Sequence, residues 1–186
     1  MEDSLEDKLS YGLQPFFPTI ELPLCSLIET RFWGKDTNSS EDDHNLLVGY
    51  VIDGNKSMEN RLQLSICLPS NIIIGKTKKL KKHISKFRVL TEYQIPEYQY
   101  GFSDFPIDSI ENELEIGMIL EITGKGNDDL KKLKRHAGYL SETASNYLVI
   151  SMDHPSNVSE FSIKNRVKLK YEDIGLYRLL GQRDIW

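Results

Sequence analysis

The sequence predicts a mainly β protein, made of two tandem small β-barrels or half-open sheets that arose by internal duplication and carry one or two short helices. The first observation behind this prediction is the stretch Arg61–Asn71, in which apolar and polar residues alternate. The apolar members are Leu62, Leu64, Ile66 and Leu68. This is the period of a half-buried strand. The second observation is an echo of this stretch later in the chain.

The echo is Tyr147–Asn157, which aligns without gaps to Arg61–Asn71 and repeats its Leu, Ser, Pro, Ser and Asn. Further landmarks keep their order in both halves. They are the Gly-Lys strand ends of Glu29–Lys35 and Leu120–Lys125, the Gly-Tyr pairs at 49–50 and 138–139, and the Leu-to-Ile strands Leu90–Ile95 and Leu169–Ile174. Such a repeat indicates one supersecondary unit used twice. The alternative is chance similarity between strands that share Leu, Ile and Ser.

The repeat divides the chain into four segments. They are a tail and lead-in at 1–18, a first unit at 19–102 with a basic insertion at 75–88, a linker at 103–111 and a second unit at 112–186. With its bent second strand and short last strand after Ile174, the second unit resembles the small barrels of the SH3, Tudor and Sm type. The resemblance implies sheets that close and thereby hide their edges. The Asp-x-x-Asn pattern of Sm proteins is absent from Ser141–Asn146.

Each element is predicted from its own local pattern. The predicted strands are Thr19–Leu24, Ser26–Trp33, Asn45–Asp53, Arg61–Leu68, Arg88–Ile95, Gly117–Thr123, Gly138–Glu142, Tyr147–Met152, Arg166–Tyr171 and Leu176–Leu180. A helix is predicted over Asn127–Arg135, which has a capping Asn, acidic residues in its first turn and basic residues in its last. Leu80, Ile84 and Phe87 fall at helical spacing, which indicates a second, short amphipathic helix.

Composition favours an ordinary soluble globular protein, with 39% hydrophobic and 27% charged residues. The formal net charge of −5 argues against a nucleic-acid surface, because phosphate binding needs local positive charge, and it favours a basic partner. The N-terminus lacks the features of a signal peptide, and no apolar run is long enough to span a membrane. Cys25 and Cys67 are interpreted as buried thiols of a reducing compartment. We therefore expect a cytoplasmic protein without membrane contact.

No catalytic constellation is visible in the sequence. The Gly75-Lys76-Thr77 triplet is not a phosphate loop, because Ser70 stands where that loop needs its first glycine. The four histidines have no partner at metal-ligand spacing: His44, His83, His136 and His154. We therefore expect the protein not to be an enzyme and to use neither a cofactor nor a metal.

Aromatic clusters are the main hint of a protein-binding surface. The candidates are Phe32, Trp33, Tyr98, Tyr100 and Phe102. Interfaces are enriched in Trp and Tyr, so we expect a binding or adaptor protein that contacts another protein. A more specific version is an acidic, immunity-type inhibitor of a basic toxin or nuclease. The alternative role of these aromatic residues is to fill the seam between two small barrels.

The basic segment between residues 76 and 88 supports a second function, the binding of RNA or DNA. Its candidate residues are Lys76, Lys78, Lys79, Lys81, Lys82, Lys86 and Arg88. The segment contains no acidic residue, but it contains a single arginine, the residue that dominates base and phosphate recognition. A solvated face that keeps the protein soluble explains the same pattern. The oligomeric state is not predicted.

Overall fold

The computed structural model describes residues 12–17, 19–32, 45–52, 61–68, 76–80, 84–91, 101–124, 135–155 and 165–183. In chain order, its strands are β1 (Gln14–Pro15), β2 (Leu27–Phe32), β3 (Asn45–Ile52), β4 (Arg61–Ser65), β5 (Cys67–Leu68), β6 (Lys76–Leu80), β7 (Ile84–Thr91), β8 (Ser103–Asp104), β9 (Met118–Gly124), β10 (Arg135–Thr143), β11 (Tyr147–Ser151), β12 (Arg166–Lys170) and β13 (Ile174–Gln182). The helix α1 is Ile110–Glu113, and a 3-10 turn covers Tyr171–Asp173.

Two antiparallel sheets contain these strands, and their strand orders match. The first sheet has the order β1-β7-β2-β3-β4-β6, and the second has the order β8-β13-β9-β10-β11-β12. Each begins with a two-residue edge strand and continues with a last strand that pairs with the first long strand. The mainly β prediction is confirmed. Neither sheet closes into a barrel over the described residues, so the prediction of closed barrels is wrong for this part of the chain.

The alternating pattern that defined the central strands correctly predicts their buried face. Leu64, Ile66, Leu148 and Ile150 are each at most 1% exposed. β4 and β11 hold the same place in their sheets, next to β3 and β10 respectively. The Leu-to-Ile landmarks do not correspond, because Leu90 lies in β7, beside the first long strand, whereas Leu169 lies in β12, at the sheet edge. Leucine at alternate positions is common to every half-buried strand, which explains the false match.

The amphipathic helix predicted from Leu80, Ile84 and Phe87 is wrong, because these residues lie in β6 and β7. Ile84 and Phe87 are both buried despite a spacing of three. The ladder between β2 and β7 shifts register between Arg31 and Phe32, which inserts Ser85 as an extra residue. This β-bulge turns a period of two into an apparent helical spacing.

Two other predicted elements have different outcomes. Thr19–Leu24 is not a strand, and its ends form turns in which Ile20 N donates to Phe17 O at 2.9 Å and Ser26 N to Pro23 O at 3.2 Å. Pro23 removes a ladder donor there. Of the helix predicted over Asn127–Arg135, the described residues include only the last, which begins β10.

Both sheets also include a segment that the sequence predicts to lie outside the two units. β1, from the lead-in, pairs with β7, and β8, from the predicted linker, pairs with β13. Gly12 and Gly101 precede these strands, and both have positive φ angles of 74° and 80°. Phe16 follows β1, is 6% exposed and meets the Phe87 ring edge-on at 5.5 Å. A Tyr-Gly-x-x-x-Phe pattern at 11–16 and 100–105 marks both segments.

Two hydrophobic clusters hold the sheets together. The larger one combines residues of both sheets, including Ile28 and Leu64 of the first and Leu120 and Ile150 of the second. The smaller one also draws on β2, β3, β9 and β10: Leu27, Leu46, Val48, Tyr50, Ile119, Ala137 and Tyr139. Because both clusters contain residues from both sheets, the sheets share their buried surface.

After each central strand the chain crosses to the other sheet. Ala137 N donates to Ile66 O at 2.9 Å, and in the same way Val48 N donates to Met152 O at 2.8 Å. β5 then pairs with β10, while an isolated bridge joins Leu47 to Asp153. The two sheets therefore exchange equivalent backbone hydrogen bonds, in addition to their apolar contacts.

The Gly-Tyr landmarks lie at this crossing. A Cβ atom on Gly138 would lie 2.5 Å from Ser151 O, and one on Gly49 would lie 2.9 Å from the Leu64 Cβ and 3.3 Å from Ser65 O. Each glycine therefore permits close approach to the neighbouring central strand. The following tyrosines, Tyr50 and Tyr139, are at most 2% exposed.

Candidate functional site

The most concentrated chemistry in the described structure is a pair of buried carboxylates, one in each sheet. Glu29 of β2 has a side chain that is 0% exposed and accepts from three residues. Arg88 Nε lies 2.7 Å from its Oε1. Arg183 donates Nη2 to Oε1 at 2.8 Å and Nε to Oε2 at 3.1 Å. The Tyr139 hydroxyl donates to Oε2 at 2.5 Å.

The second carboxylate is Glu121 of β9, whose side chain is 1% exposed. Arg178 Nη2 lies 3.0 Å from its Oε1, and Arg135 Nη1 lies 3.5 Å from the same atom. The Tyr50 hydroxyl donates to its Oε2 at 2.9 Å. We call the groups around Glu29 and Glu121 the first and second carboxylate clusters.

The two clusters are built from matching positions. Glu29 lies opposite Arg88 in the ladder of β2 and β7, and Glu121 lies opposite Arg178 in the ladder of β9 and β13. In each cluster the tyrosine comes from the other sheet. Tyr139 of the second sheet therefore serves Glu29, while its counterpart in the first sheet serves the second carboxylate.

Burial and neighbouring charges set the protonation of these groups. Burial alone would raise the pKa of Glu29, but the hydrogen bond and charge of Arg183 bring that pKa below its ordinary value. Burial, followed by the charge of Glu121, raises the pKa of Tyr50 well above its ordinary value, and burial with Glu29 does the same for Tyr139. Both phenols therefore stay protonated and donate to the carboxylates.

This arrangement is suited to holding two sheets together. A buried ion pair is tolerated when further hydrogen bonds satisfy its remaining polar atoms, as the arginines and tyrosines do here. A general acid or base must reach a substrate atom at hydrogen-bond distance. Glu29 is inaccessible to solvent, and its carboxylate oxygens already accept bonds from Arg88, Arg183 and Tyr139.

The sequence analysis did not predict either cluster. Buried charges in strands look like solvent-facing polar residues, because their partners lie far away in the chain: Tyr139 is 110 residues from Glu29. The usable signal was the Gly-Tyr pair of each half, together with a glutamate in each first long strand. The duplication hypothesis used the glycine of that pair as a landmark but gave the tyrosine no role.

Of the predicted protein-binding residues, Phe102 is described in full. Its ring lies against two cations of the second carboxylate cluster, with the guanidinium carbon of Arg178 4.7 Å and that of Arg135 5.3 Å from the ring centroid. Phe32 ends β2. Trp33, Tyr98 and Tyr100 lie outside the described residues. The structure thus places Phe102 against a buried structural cluster, where cation–π contact stabilises the arginines.

The predicted nucleic-acid residues fall into three groups. Lys76, Lys78 and Lys79 lie in β6, at an edge of the first sheet. Lys86 and Arg88 lie in β7. Lys81 and Lys82 are outside the described residues. The guanidinium of Arg88 belongs to the first carboxylate cluster, which removes the single arginine of the segment from the set of phosphate contacts.

The cysteines and histidines that are described have structural surroundings. Cys25, which has a φ of 65°, and Cys67 are free thiols. His154 is 0% exposed and meets the Tyr139 ring edge-on at 4.9 Å. Its burial lowers the pKa of the imidazole to about 4. His44 and His83 lie outside the described residues.

Two searches of the described residues concern other kinds of site. They contain no group of three or more His, Cys, Asp or Glu side chains arranged to hold a metal ion. No helix among them is long and apolar enough to cross a membrane. An open surface cavity of about 440 Å³ lies between α1, the turn from β10 to β11 and Tyr171.

Comparison with protein-family models, with curated proteins and with solved structures gives no match.

Proposed function

We propose that this chain is a non-enzymatic binding or adaptor protein that acts through contacts with another protein. The observation that carries this proposal is the internal use of its buried charges. Glu29 and Glu121 each accept hydrogen bonds from a tyrosine of the opposite sheet and form ion pairs with arginines. These charges stabilise the junction between the sheets, which leaves the surface of the molecule for recognition.

We propose in addition that the two sheets are copies of one small unit of the SH3 or Sm type. Their matching strand order supports this, as do the paired positions of the two carboxylate clusters. The likeness to SH3 and Sm proteins is an analogy of fold alone and carries no function. The pairing of β1 and β8 favours units that begin near Gly12 and Gly101, earlier than positions 19 and 112.

The more specific form of the proposal is an acidic inhibitor of a basic protein. The net charge of −5 supports it, and so do the exposed acids around α1: Asp104, Asp108, Glu111, Glu113 and Glu115. Complementary charge across an interface raises the association rate and needs no active site. RNA or DNA binding through the lysines of β6 is the second candidate, favoured by the position of that strand at a sheet edge.

Affinity capture from the native cell, with and without nuclease treatment, separates these candidates. We expect a co-purifying protein that survives nuclease treatment and is retained by the variant Lys78→Glu, Lys79→Glu, Lys82→Glu. A second variant, Trp33→Ala with Tyr100→Ala, should lose that partner if the aromatic residues carry the contact. The lysine variant should stay within about 0.5 kcal/mol per site of wild-type stability.

A direct RNA measurement completes the test. Fluorescence anisotropy with a labelled generic single-stranded RNA, measured over a range of salt concentrations, should show no binding at physiological salt. RNA binding that weakens linearly with the logarithm of the salt concentration, and disappears in the triple lysine variant, would contradict the protein-binding proposal.

A further inference from the structure

The outer edge of the second sheet carries groups that the fold does not use. β12 is the terminal strand there and pairs with β11 alone among the described strands. The register between these strands is regular, and two hydrogen bonds continue it beyond both ends: Met152 N to Asn165 O at 2.8 Å, and Tyr171 N to Asn146 O at 3.0 Å. These bonds identify which pairs of the ladder are hydrogen-bonded.

Opposite residues in an antiparallel ladder alternate between hydrogen-bonded and non-hydrogen-bonded pairs. Counting inward from the two flanking bonds, Val167 and Leu169 are the residues of β12 that bond to β11. The backbone N–H and C=O of Lys168 and the N–H of Lys170 therefore point away from β11, toward the open edge. These groups are the ones that an added strand would meet.

The side chains at the same positions are cationic and lie on the outer face. Val167 and Leu169 pack against the hydrophobic core, so the alternating residues face the other way. Lys168 Nζ lies 3.7 Å from the centroid of the Tyr147 ring. The Lys170 side chain is 62% exposed, and its Nζ lies 3.8 Å from Glu172 Oε1. Surface contacts of this kind are weak and exchangeable.

We propose that this edge is a docking site for an extended acidic segment of a partner protein, which adds to the sheet as a further strand. This inference rests on the proposed protein-binding function and specifies the chemistry of one partner. Main-chain hydrogen bonds would supply affinity, as in other cases of strand addition. Acidic side chains at alternate positions of the segment would lie opposite Lys168 and Lys170 as cross-strand pairs.

Charge complementarity selects this occupant. β12 carries Arg166, Lys168 and Lys170 and no acid, in a chain whose net charge is −5. β6, at the corresponding edge of the first sheet, also carries three cations and no acid: Lys76, Lys78 and Lys79. The competing explanation is that edge lysines prevent strand addition. A nucleic acid could also meet these charges, but it would not use the outward backbone groups.

The test uses the full chain and a labelled peptide in which Glu alternates with Val. Its binding is measured by fluorescence anisotropy at low and physiological salt. Three probes serve as controls: the same peptide with Lys in place of Glu, the Glu peptide with N-methylated backbone amides, and a labelled oligothymidine. The variants are Lys168→Glu with Lys170→Glu and, as a control of equal charge change away from this edge, Arg61→Glu with Lys86→Glu.

We expect the Glu peptide to bind the wild type and the control variant alike. Binding to the edge variant should weaken about tenfold or more, because two attractive cross-strand pairs become repulsive. The Lys peptide and the N-methylated peptide should bind at least about tenfold more weakly to the wild type than the Glu peptide does.

Absence of peptide binding at low salt, or equal loss in both variants, would overturn the proposal in favour of a protected edge. Equal binding of the N-methylated peptide, or tighter binding of oligothymidine, would overturn it in favour of a purely electrostatic surface. Either outcome leaves the protein-binding function standing, because that function is tested by nuclease-resistant capture and not by this peptide.

Discussion

The hydroxyl of Tyr50 donates a 2.9 Å hydrogen bond to Oε2 of Glu121, across the junction between the two sheets. The reciprocal bond runs from Tyr139 to Glu29, at 2.5 Å. Each sheet thus gives a phenol to the other and receives one. This exchange resembles a two-fold isologous interface, in which the same surface patch is used twice. It gives the proposed duplication a physical consequence: the pair of sheets should unfold as one body.

The glycine at the crossing of the chain should be hard to replace. In Gly138→Ala the new methyl group would lie 2.5 Å from the backbone oxygen of Ser151, so β10 and β11 would have to separate. We expect a loss of about 2 kcal/mol or more in urea unfolding. Gly124→Ala is the matched control, because its methyl group would be 3.7 Å from the nearest atom, Asp173 O. Equal losses in both variants would contradict the close approach described here.

The buried imidazole should make stability depend on pH. Burial lowers the pKa of His154 to about 4, against about 6.5 in the unfolded chain. The unfolded state therefore binds more protons between these values. Stability from this group is fully present above pH 6.5 and decreases by about 3 kcal/mol as the pH falls to 4.

Urea unfolding at a series of pH values checks this dependence. The wild type should become less stable from pH 6.5 to 4, and His154→Gln should remove much of that slope. His136→Gln is the control, since it removes a histidine from the same sheet and should keep the slope. A wild-type slope that His154→Gln leaves unchanged would assign it to other groups, among them the Glu29 carboxylate, whose pKa is also lowered.

Truncation of either central strand should affect the whole molecule. Leu64→Ala and Ile150→Ala remove side chains that are 0% exposed and belong to one cluster. Each should cost about 2–5 kcal/mol. Hydrogen exchange should show that amides of both sheets lose protection together in either variant. If Leu64→Ala lowered protection in the first sheet alone, the two sheets would be separate folding units.

Sequence patterns were sufficient for the elements in which local periodicity and tertiary burial agree. The central strands are such elements, and their buried face is confirmed at Leu64 and Ile150. The pattern was misleading at Ile84 and Phe87, where a bulge imitates helical spacing. Neither carboxylate cluster was predicted, because strand periodicity cannot distinguish a buried glutamate whose partners come from another sheet from an exposed one.

The central claim is that the crossed carboxylate clusters join the two sheets, and a double-mutant cycle between Tyr139 and Glu29 tests it most directly. The single variants Tyr139→Phe and Glu29→Gln and the double variant are compared with the wild type by urea unfolding, with Tyr147→Phe as the control for an exposed phenol that donates to Glu142.

Tyr139→Phe should cost about 1.5–3 kcal/mol, because it removes a buried hydrogen bond to a charged group, and Tyr147→Phe about 0.5 kcal/mol or less. The cycle should give a coupling energy of about 1 kcal/mol or more. Additive losses from Tyr139→Phe and Glu29→Gln, with a coupling energy near zero, would contradict the claim that this bond holds the sheets together.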